Sequence, residues 1–196
     1  MGTASSSNPR VKQANLELRK SLTPATKAGD VEMRLVTTCW YTAKYQQIGL
    51  DILIRLMVHN PKFLRFYGVS EELGIEQMKL NPVIVLQGKR VQTFLDSLFT
   101  SLNQVPEVVI GNLAQRIGAV HFHQGINFGR QDWITMKTVI FEAVHTPSVA
   151  KHIETIDEFK GLDVAKCFDS VLSLVVREMQ LGFIKEAQES CVVEML

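Results

Sequence analysis

The sequence predicts an all-α protein. Apolar residues recur at spacings of three and four over several long stretches, and no stretch alternates apolar and polar residues as a half-buried strand would. Proline and glycine separate these stretches. Because 196 residues suit one domain of ordinary size, we expect a flexible N-terminal extension over residues 1–28, a helical domain over residues 29–186 and a tail over residues 187–196.

The composition argues against several classes of protein. The formal net charge is +1, so the overall balance gives no reason to expect nucleic acid as a partner. Three cysteines, Cys39, Cys167 and Cys191, lack the CxxC spacing of a metal site, and their odd number argues against a disulfide framework. We expect Cys39 and Cys167 on buried helical faces, Cys191 as an exposed thiol, and a cytoplasmic protein without a membrane span.

The first six residues, Met1 to Ser6, fit the template for myristoylation of Gly2. One such chain binds membranes only weakly, with a constant on the order of 10⁴ M⁻¹. Nearby basic residues would supply a second signal for contact with the cytoplasmic face of a membrane. The alternative is a polar leader that buries too little apolar surface to fold.

The first two predicted helices follow from caps and periodicity. Asp30 is predicted to cap a helix that places Met33, Val36 and Trp40 on one face. A second helix is predicted over residues 47–59, because Pro61 disfavours a helical conformation at Asn60.

A turn with three aromatic residues, Phe63, Phe66 and Tyr67, separates these helices from the next one. Asn81 and Pro82 then predict a helix start, with an N-cap side chain followed by proline at the first helical position.

Three more helical stretches complete the predicted core. The first begins after Pro106 and the second carries Trp133 and ends before Pro147. The last is a long helix that begins at about Asp163.

His121 is the most informative single residue of the chain. It lies late on the apolar stretch after Pro106 and is followed four and five residues later by Gly125 and Ile126. Upstream, the apolar segment from Val83 to Val91 carries one polar residue, Gln87, beside Gly88. Together these segments predict two walls of a pocket.

This pair of segments resembles the two haem-facing helices of a globin. The segment from Gly49 to Asn60-Pro61 is similar to the globin helix that ends before the turn over the haem. The resemblance covers roughly residues 30 to 185 and implies a globin fold, with helices packed around a pocket for haem b.

The resemblance also implies roles for individual residues. His121 takes the proximal position as the axial ligand of the iron, and Gln87 takes the distal position, where its amide would donate to a bound diatomic ligand. Gly88 permits close approach of a neighbouring helix, and Val91 lies one turn beyond Gln87. Further contacts to haem are expected from Leu53, Ile117 and Ile126. Arg90 at the pocket mouth would reach a haem propionate or a bound ligand, and the alternative for it is a solvated side chain.

Two positions of the expected haem site, the aromatic residue over the haem and the proximal histidine, each have two candidate residues. In the turn over the haem, a count without gaps places Tyr67 against the macrocycle and a one-residue deletion places Phe66 there. His123 is a rival to His121, but two helical positions turn a side chain by about 200°. The ring of His121 needs a hydrogen-bond acceptor to fix its orientation, and the carbonyl of Ile117 is expected to be that acceptor.

Several functions are compatible with this pocket. The first is reversible binding of oxygen or another diatomic gas for storage, transport or sensing. The second is a haem redox protein, for example one that oxidises nitric oxide or passes electrons to a partner. This role would require an external reductant, since the sequence has no flavin or nicotinamide fingerprint. The third is a helical adaptor without haem; a homodimer is compatible with all three.

Overall fold

The computed structural model describes residue 22, residues 28–45 and residues 47–193, with side chains up to residue 190. Within these ranges every regular element is helical, which confirms the predicted all-α class. The α-helices are α1 Asp30–Ala43, α2 Ile48–His59, α3 Ile75–Leu80, α4 Pro82–Ser101, α5 Glu107–His123, α6 Arg130–Val144, α7 Pro147–Glu154 and α8 Val164–Val193. Two 3-10 helices span Pro61–Tyr67 and Asp157–Phe159.

Helix starts follow the predicted caps in one case and differ in another. The Asn81 side chain accepts hydrogen bonds from the backbone N–H groups of Val83 and Ile84, at 3.0 and 3.3 Å. The prediction that Asp30 caps α1 is wrong. The cap is Gly29, whose N–H donates to the Glu32 carboxylate at 2.8 Å, while Asp30 lies in the first turn, where the helix dipole favours a negative charge.

Helices α3 and α7 were not apparent from the sequence. Pro147, which was expected to mark a helix end, is the first residue of α7. Thr146 caps this helix by accepting from the Val149 N–H at 3.4 Å, in agreement with the preference for proline at the first helical position. The last helix begins one residue after Asp163 and continues past residue 186 to Val193.

The buried side chains form two clusters. The larger one joins α1, α2, α4, α5, α6, α7 and α8 around the rings of Trp40, Phe99 and Phe168. Trp40 also donates from Nε1 to Asp96 at 2.9 Å, so its polar atom is satisfied. The smaller cluster joins α2, the first 3-10 helix, α3 and α4 around Leu64 and Met78. Side chains of both clusters line the site described below, most of them from the larger cluster.

The ends of the chain are described only in part. Ala28 is buried, so packing of the core begins within the stretch that was predicted as a flexible extension. The predictions for Gly2 and for the Cys191 side chain lie outside the described residues. Cys39 and Cys167 are buried free thiols, as expected. None of the described helices has the length and apolar character needed to cross a membrane.

Candidate functional site

A cavity of ≈ 410 Å³ lies between α4 and α5. Its α4 wall carries Gln87, Arg90 and Val91, and its α5 wall carries Ile117 and His121. The remaining lining is mostly apolar and comes from α2, the first 3-10 helix, α4, α5, the segment after α5, α6 and α8: Ile52, Leu53, Leu56, Tyr67, Phe94, Leu95, Leu98, Val120, Gln124, Phe128, Met136, Ile140, Leu172, Val175 and Met179. Few polar groups therefore face this space, as is typical of a pocket for a largely apolar ligand.

Most of the predicted site residues meet at this cavity. Those that line it are Leu53, Tyr67, Gln87, Arg90, Val91, Ile117 and His121. Phe66 and Ile126 line a separate cavity of ≈ 50 Å³ beside it, together with Tyr67. Phe66 is also 43% exposed, so of the two aromatic candidates it is Tyr67 that faces the larger space.

A close helix crossing positions Gln87 on the α4 wall. A Cβ atom added to Gly88 would lie 2.7 Å from Leu50 Cα, and one added to Gly49 would lie 2.4 Å from the Gly88 carbonyl oxygen. Helices α2 and α4 therefore touch through backbone at this point, as expected for Gly88. Gln87 is held beside the crossing, with its side chain on the cavity.

A second crossing positions the α5 wall. A Cβ atom on Gly118 would lie 1.9 Å from the Met179 carbonyl oxygen, and one on Gly182 would lie 2.0 Å from the Gln115 carbonyl oxygen. The backbones of α5 and α8 are thus in contact one turn before His121. This contact fixes the segment from which the histidine projects.

The His121 ring is a neutral imidazole within the cavity wall. Burial lowers the pKa of His121 from 6.5 to about 4. Its Nδ1 is sealed from solvent and has no hydrogen-bond partner, so Nε2 is the ring nitrogen that remains available. The expectation that the Ile117 carbonyl accepts from this ring is wrong, because Nδ1 makes no hydrogen bond.

An aromatic side chain that the sequence did not indicate holds the His121 ring from the side. Phe128 packs edge-on against it, with ring centroids 4.9 Å apart and planes at 89°. Phe128 also contacts Phe63 and Trp133, at 5.2 and 4.7 Å between centroids. It lies in the loop between α5 and α6, whose path has no periodic signal, so sequence patterns had no means to place it.

His123, the rival candidate, faces away from the cavity. It is exposed, and its Nε2 lies 3.0 Å from a carboxylate oxygen of Glu186 on α8. The rotation of about 200° between helical positions 121 and 123, which argued against His123 as the pocket histidine, therefore agrees with the structure.

Arg90 is the one Lys, Arg, Asp or Glu residue among the described residues that line the cavity. Arg90 is exposed at the rim, and its charge acts on the phenol of Tyr67. Burial raises the pKa of Tyr67 and the nearby Arg90 guanidinium acts in the opposite direction. The phenol is thus a neutral hydrogen-bond donor at neutral pH, beside a cation that would pair with a carboxylate.

No protein-family model matches this chain, and no curated protein matches it either.

Proposed function

We propose that this protein is a globin that binds haem b and, through it, oxygen or another diatomic gas, for storage, transport or sensing. The observation that carries the proposal is the position of His121. A single neutral imidazole projects into an apolar cavity of ≈ 410 Å³, opposite a helix that presents Gln87. When bound, the haem would supply an iron centre that binds small diatomic ligands reversibly.

The described residues fit such a group. A neutral imidazole is the form that can coordinate iron, and the sealed position of Nδ1 leaves Nε2 for that role. Among the described residues no three His, Cys, Asp or Glu side chains converge on one point, and an axial haem site needs only one protein ligand. Arg90 at the rim would pair with a propionate.

Gln87 and Tyr67 would decide which ligands are retained. Both line the cavity, and an amide or a phenol can donate one hydrogen bond to a diatomic molecule. Gln87 is a weak ligand for iron, so we expect the position opposite His121 to stay open. The apolar remainder of the lining would limit entry of water.

The partners and location belong to the same proposal. The ligand would be a diatomic gas, and a redox role would add an external reductant. The buried free thiols of Cys39 and Cys167 support a reducing compartment such as the cytoplasm. A membrane-bound form would depend on acylation of Gly2, and mass spectrometry of the wild type and of Gly2→Ala, each expressed with the acyl transferase, tests it.

The test is the visible spectrum of the protein purified with haem, recorded in the ferric form, after reduction by dithionite and under carbon monoxide. We expect one broad band in the reduced form and two bands under carbon monoxide. His121→Ala should lose or alter this spectrum. His123→Ala is the matched control, because it removes a histidine two residues away that points outward.

Other outcomes would contradict the proposal in distinct ways. Two sharp bands in the reduced form, before any gas is added, would reveal an internal sixth ligand and favour electron transfer. Absence of bound haem in a folded wild-type protein would favour the adaptor alternative.

A further inference from the structure

The corner between α3 and α4 carries the most exposed large apolar side chain of the described residues. Leu80, the last residue of α3, is 83% exposed, and Asn81 and Pro82 turn the chain directly after it. On the first turns of α4, Val83 and Leu86 are 41% and 51% exposed. A single exposed apolar residue is ordinary, but several that cluster on one surface mark an interaction site.

Basic side chains flank these apolar ones. Leu86 and Arg90 are four residues apart on α4 and Lys89 is three residues after Leu86, so the three share an exposed face of the helix. On the other side of the corner, exposed Lys79 directly precedes Leu80. We call this surface the corner patch, and it consists of Lys79, Leu80, Val83, Leu86, Lys89 and Arg90.

The charge of the corner patch is uniform in sign. From residue 77 to residue 95 the sequence has three basic residues and no acidic one. Glu76, one position earlier, pairs with Lys79 at 2.7 Å. Three basic residues against this one carboxylate leave residues 76–95 with a net charge of +2, whereas the whole chain has +1. The patch therefore suits an anionic partner.

The shape of the corner patch favours a bilayer as that partner. With 83% of its surface exposed, Leu80 projects from the corner instead of lining a groove for a peptide. Apolar side chains on a basic surface enter the boundary between headgroups and acyl chains, and Lys and Arg beside them are attracted to anionic lipids.

An independent observation comes from the start of the sequence. Residues 1–6 fit the template for myristoylation of Gly2. One myristoyl chain gives only weak, reversible attachment to a membrane, so stable attachment requires a second contact. The corner patch has the composition of such a contact.

We propose that the corner patch docks on an anionic bilayer surface and is the second membrane contact of the acylated chain. Leu80 and Leu86 enter the headgroup region, and the basic side chains pair with the lipid anions. Because Arg90 also lies at the rim of the large cavity, docking brings the mouth of the cavity to the membrane. This inference goes beyond the proposed function and does not depend on haem.

The experiment measures binding of the full-length protein, expressed with the acyl transferase, to phosphatidylcholine vesicles with and without phosphatidylserine. Sedimentation gives the affinity, and mass spectrometry gives the acylated fraction of each sample. Leu80→Ser/Leu86→Ser removes the apolar part of the patch. Val108→Ser/Val109→Ser is the matched control, because these valines are 66% and 46% exposed at the start of α5.

A second pair of variants tests the charge. Lys79→Gln/Lys89→Gln removes two cations of the patch and leaves Arg90 in place. Lys151→Gln/Lys160→Gln is the control, because Lys160, like Lys79, pairs with a carboxylate three residues earlier. Both controls change exposed side chains away from the corner.

We expect the wild type and both controls to bind vesicles with phosphatidylserine more tightly than vesicles without it. Each patch variant should bind the vesicles with phosphatidylserine about 10-fold or more weakly than the wild type. The lysine variant should bind pure phosphatidylcholine as the wild type does, since the lost attraction is to anionic lipid. The visible spectrum with haem should be the same in all five proteins.

Several results would overturn the proposal. Patch variants that bind as tightly as the wild type would show that the acyl chain or the basic leader suffices. A wild type without an acyl group on Gly2 would overturn the arrangement of two contacts. A wild type that binds neither vesicle but binds a polyglutamate peptide would indicate an acidic protein as the partner. Failure to take up haem would overturn the proposed function alone, because vesicle binding is measured separately.

Discussion

The α4 wall and the α5 wall of the cavity both depend on a pair of glycines where two helices cross, but the tolerance of the two crossings differs. A Cβ atom added to Gly88 would lie 2.7 Å from Leu50 Cα, 2.8 Å from Leu50 Cβ and 3.0 Å from Leu50 Cδ1 on α2. At Gly118 the nearest atoms of α8 are backbone, at 1.9 to 2.9 Å. Of the three Leu50 atoms only Cδ1 can rotate away from an added methyl group, so the two crossings differ mainly in the depth of the overlap, which is greater at Gly118.

The closer of the two helix crossings lies beside His121, and the other lies beside Gln87. The α5 wall carries the one imidazole of the cavity, and a rigid crossing one turn before it sets the position of the ring. The α4 wall carries Gln87, whose long side chain has its own freedom to adapt to a small ligand. We therefore expect the α5 wall to be the less tolerant of substitution, and the following predictions test that expectation in decreasing order of effect.

Gly118→Ala should destabilise the protein by about 3 kcal/mol or more, because the new methyl group overlaps the Met179 carbonyl. Urea unfolding measures the change in the free energy of unfolding. Gly111→Ala is the control on the same helix, where the new methyl group would meet only the flexible Glu178 carboxylate, at 3.3 Å. Equal losses in the two variants would contradict the rigid crossing.

The protein without haem should lose stability as the pH falls from 6.5 to about 4, by roughly 3 kcal/mol at most from His121. Burial lowers the pKa of His121 in the folded state, so above pH 6.5 the ring is neutral in both states. Below that pH the unfolded state binds the proton first, and stability falls until the folded pKa is reached.

Carboxylates titrate in part of the same range, so the measurement is the difference between the wild type and His121→Leu. The stability of this variant should fall less between pH 6.5 and 4. Parallel pH profiles for the two proteins would show that His121 is not held neutral.

Gly88→Ala should cost about 2 kcal/mol, less than Gly118→Ala, because the closest approach of the new methyl group would be 2.7 Å, to Leu50 Cα, rather than 1.9 Å. The gain of alanine in helix propensity offsets up to about 1 kcal/mol of the strain. Thermal and urea unfolding of the two variants under identical conditions compare the walls directly. A larger loss for Gly88→Ala would reverse the proposed order of rigidity.

Gln87→Leu should speed oxygen dissociation from the haem-loaded protein about fivefold, the equivalent of one neutral hydrogen bond of about 1 kcal/mol. Flash photolysis or stopped-flow mixing gives the rate. Gln124→Leu is the control, since Gln124 also lines the cavity but lies just beyond the end of α5. Equal rates in the wild type and Gln87→Leu would remove Gln87 from the distal role.

Local signals accounted for much of the fold. The Asn81-Pro82 pair, the break at Asn60-Pro61 and the start near Asp163 are set by residues adjacent in sequence, and each agrees with the structure. The short helices were missed because α3 has six residues and α7 has eight, too few for a periodic pattern to stand out.

The residues of the site also divide into those that local sequence patterns indicated and those that they did not. His121 and Gln87 were found because each stands as a polar residue at a fixed spacing on an apolar helix. Phe128 was missed, and Phe66 and Ile126 were expected at the main cavity but lie at the smaller one. Phe66 lies in the first 3-10 helix and Phe128 and Ile126 lie in the loop between α5 and α6, and no helical periodicity encodes how these segments fold back over the core.

The sequence by itself determined the all-helical class, the main helix boundaries and the two apolar helices that carry His121 and Gln87, because all of these follow from contacts between near neighbours along the chain. Only the tertiary structure decided that Gly118 meets α8 through backbone, that Tyr67 rather than Phe66 faces the larger cavity and that Nδ1 of His121 has no acceptor. These features depend on which atoms of distant segments come within a few ångströms of each other, and that is set by packing of the whole core.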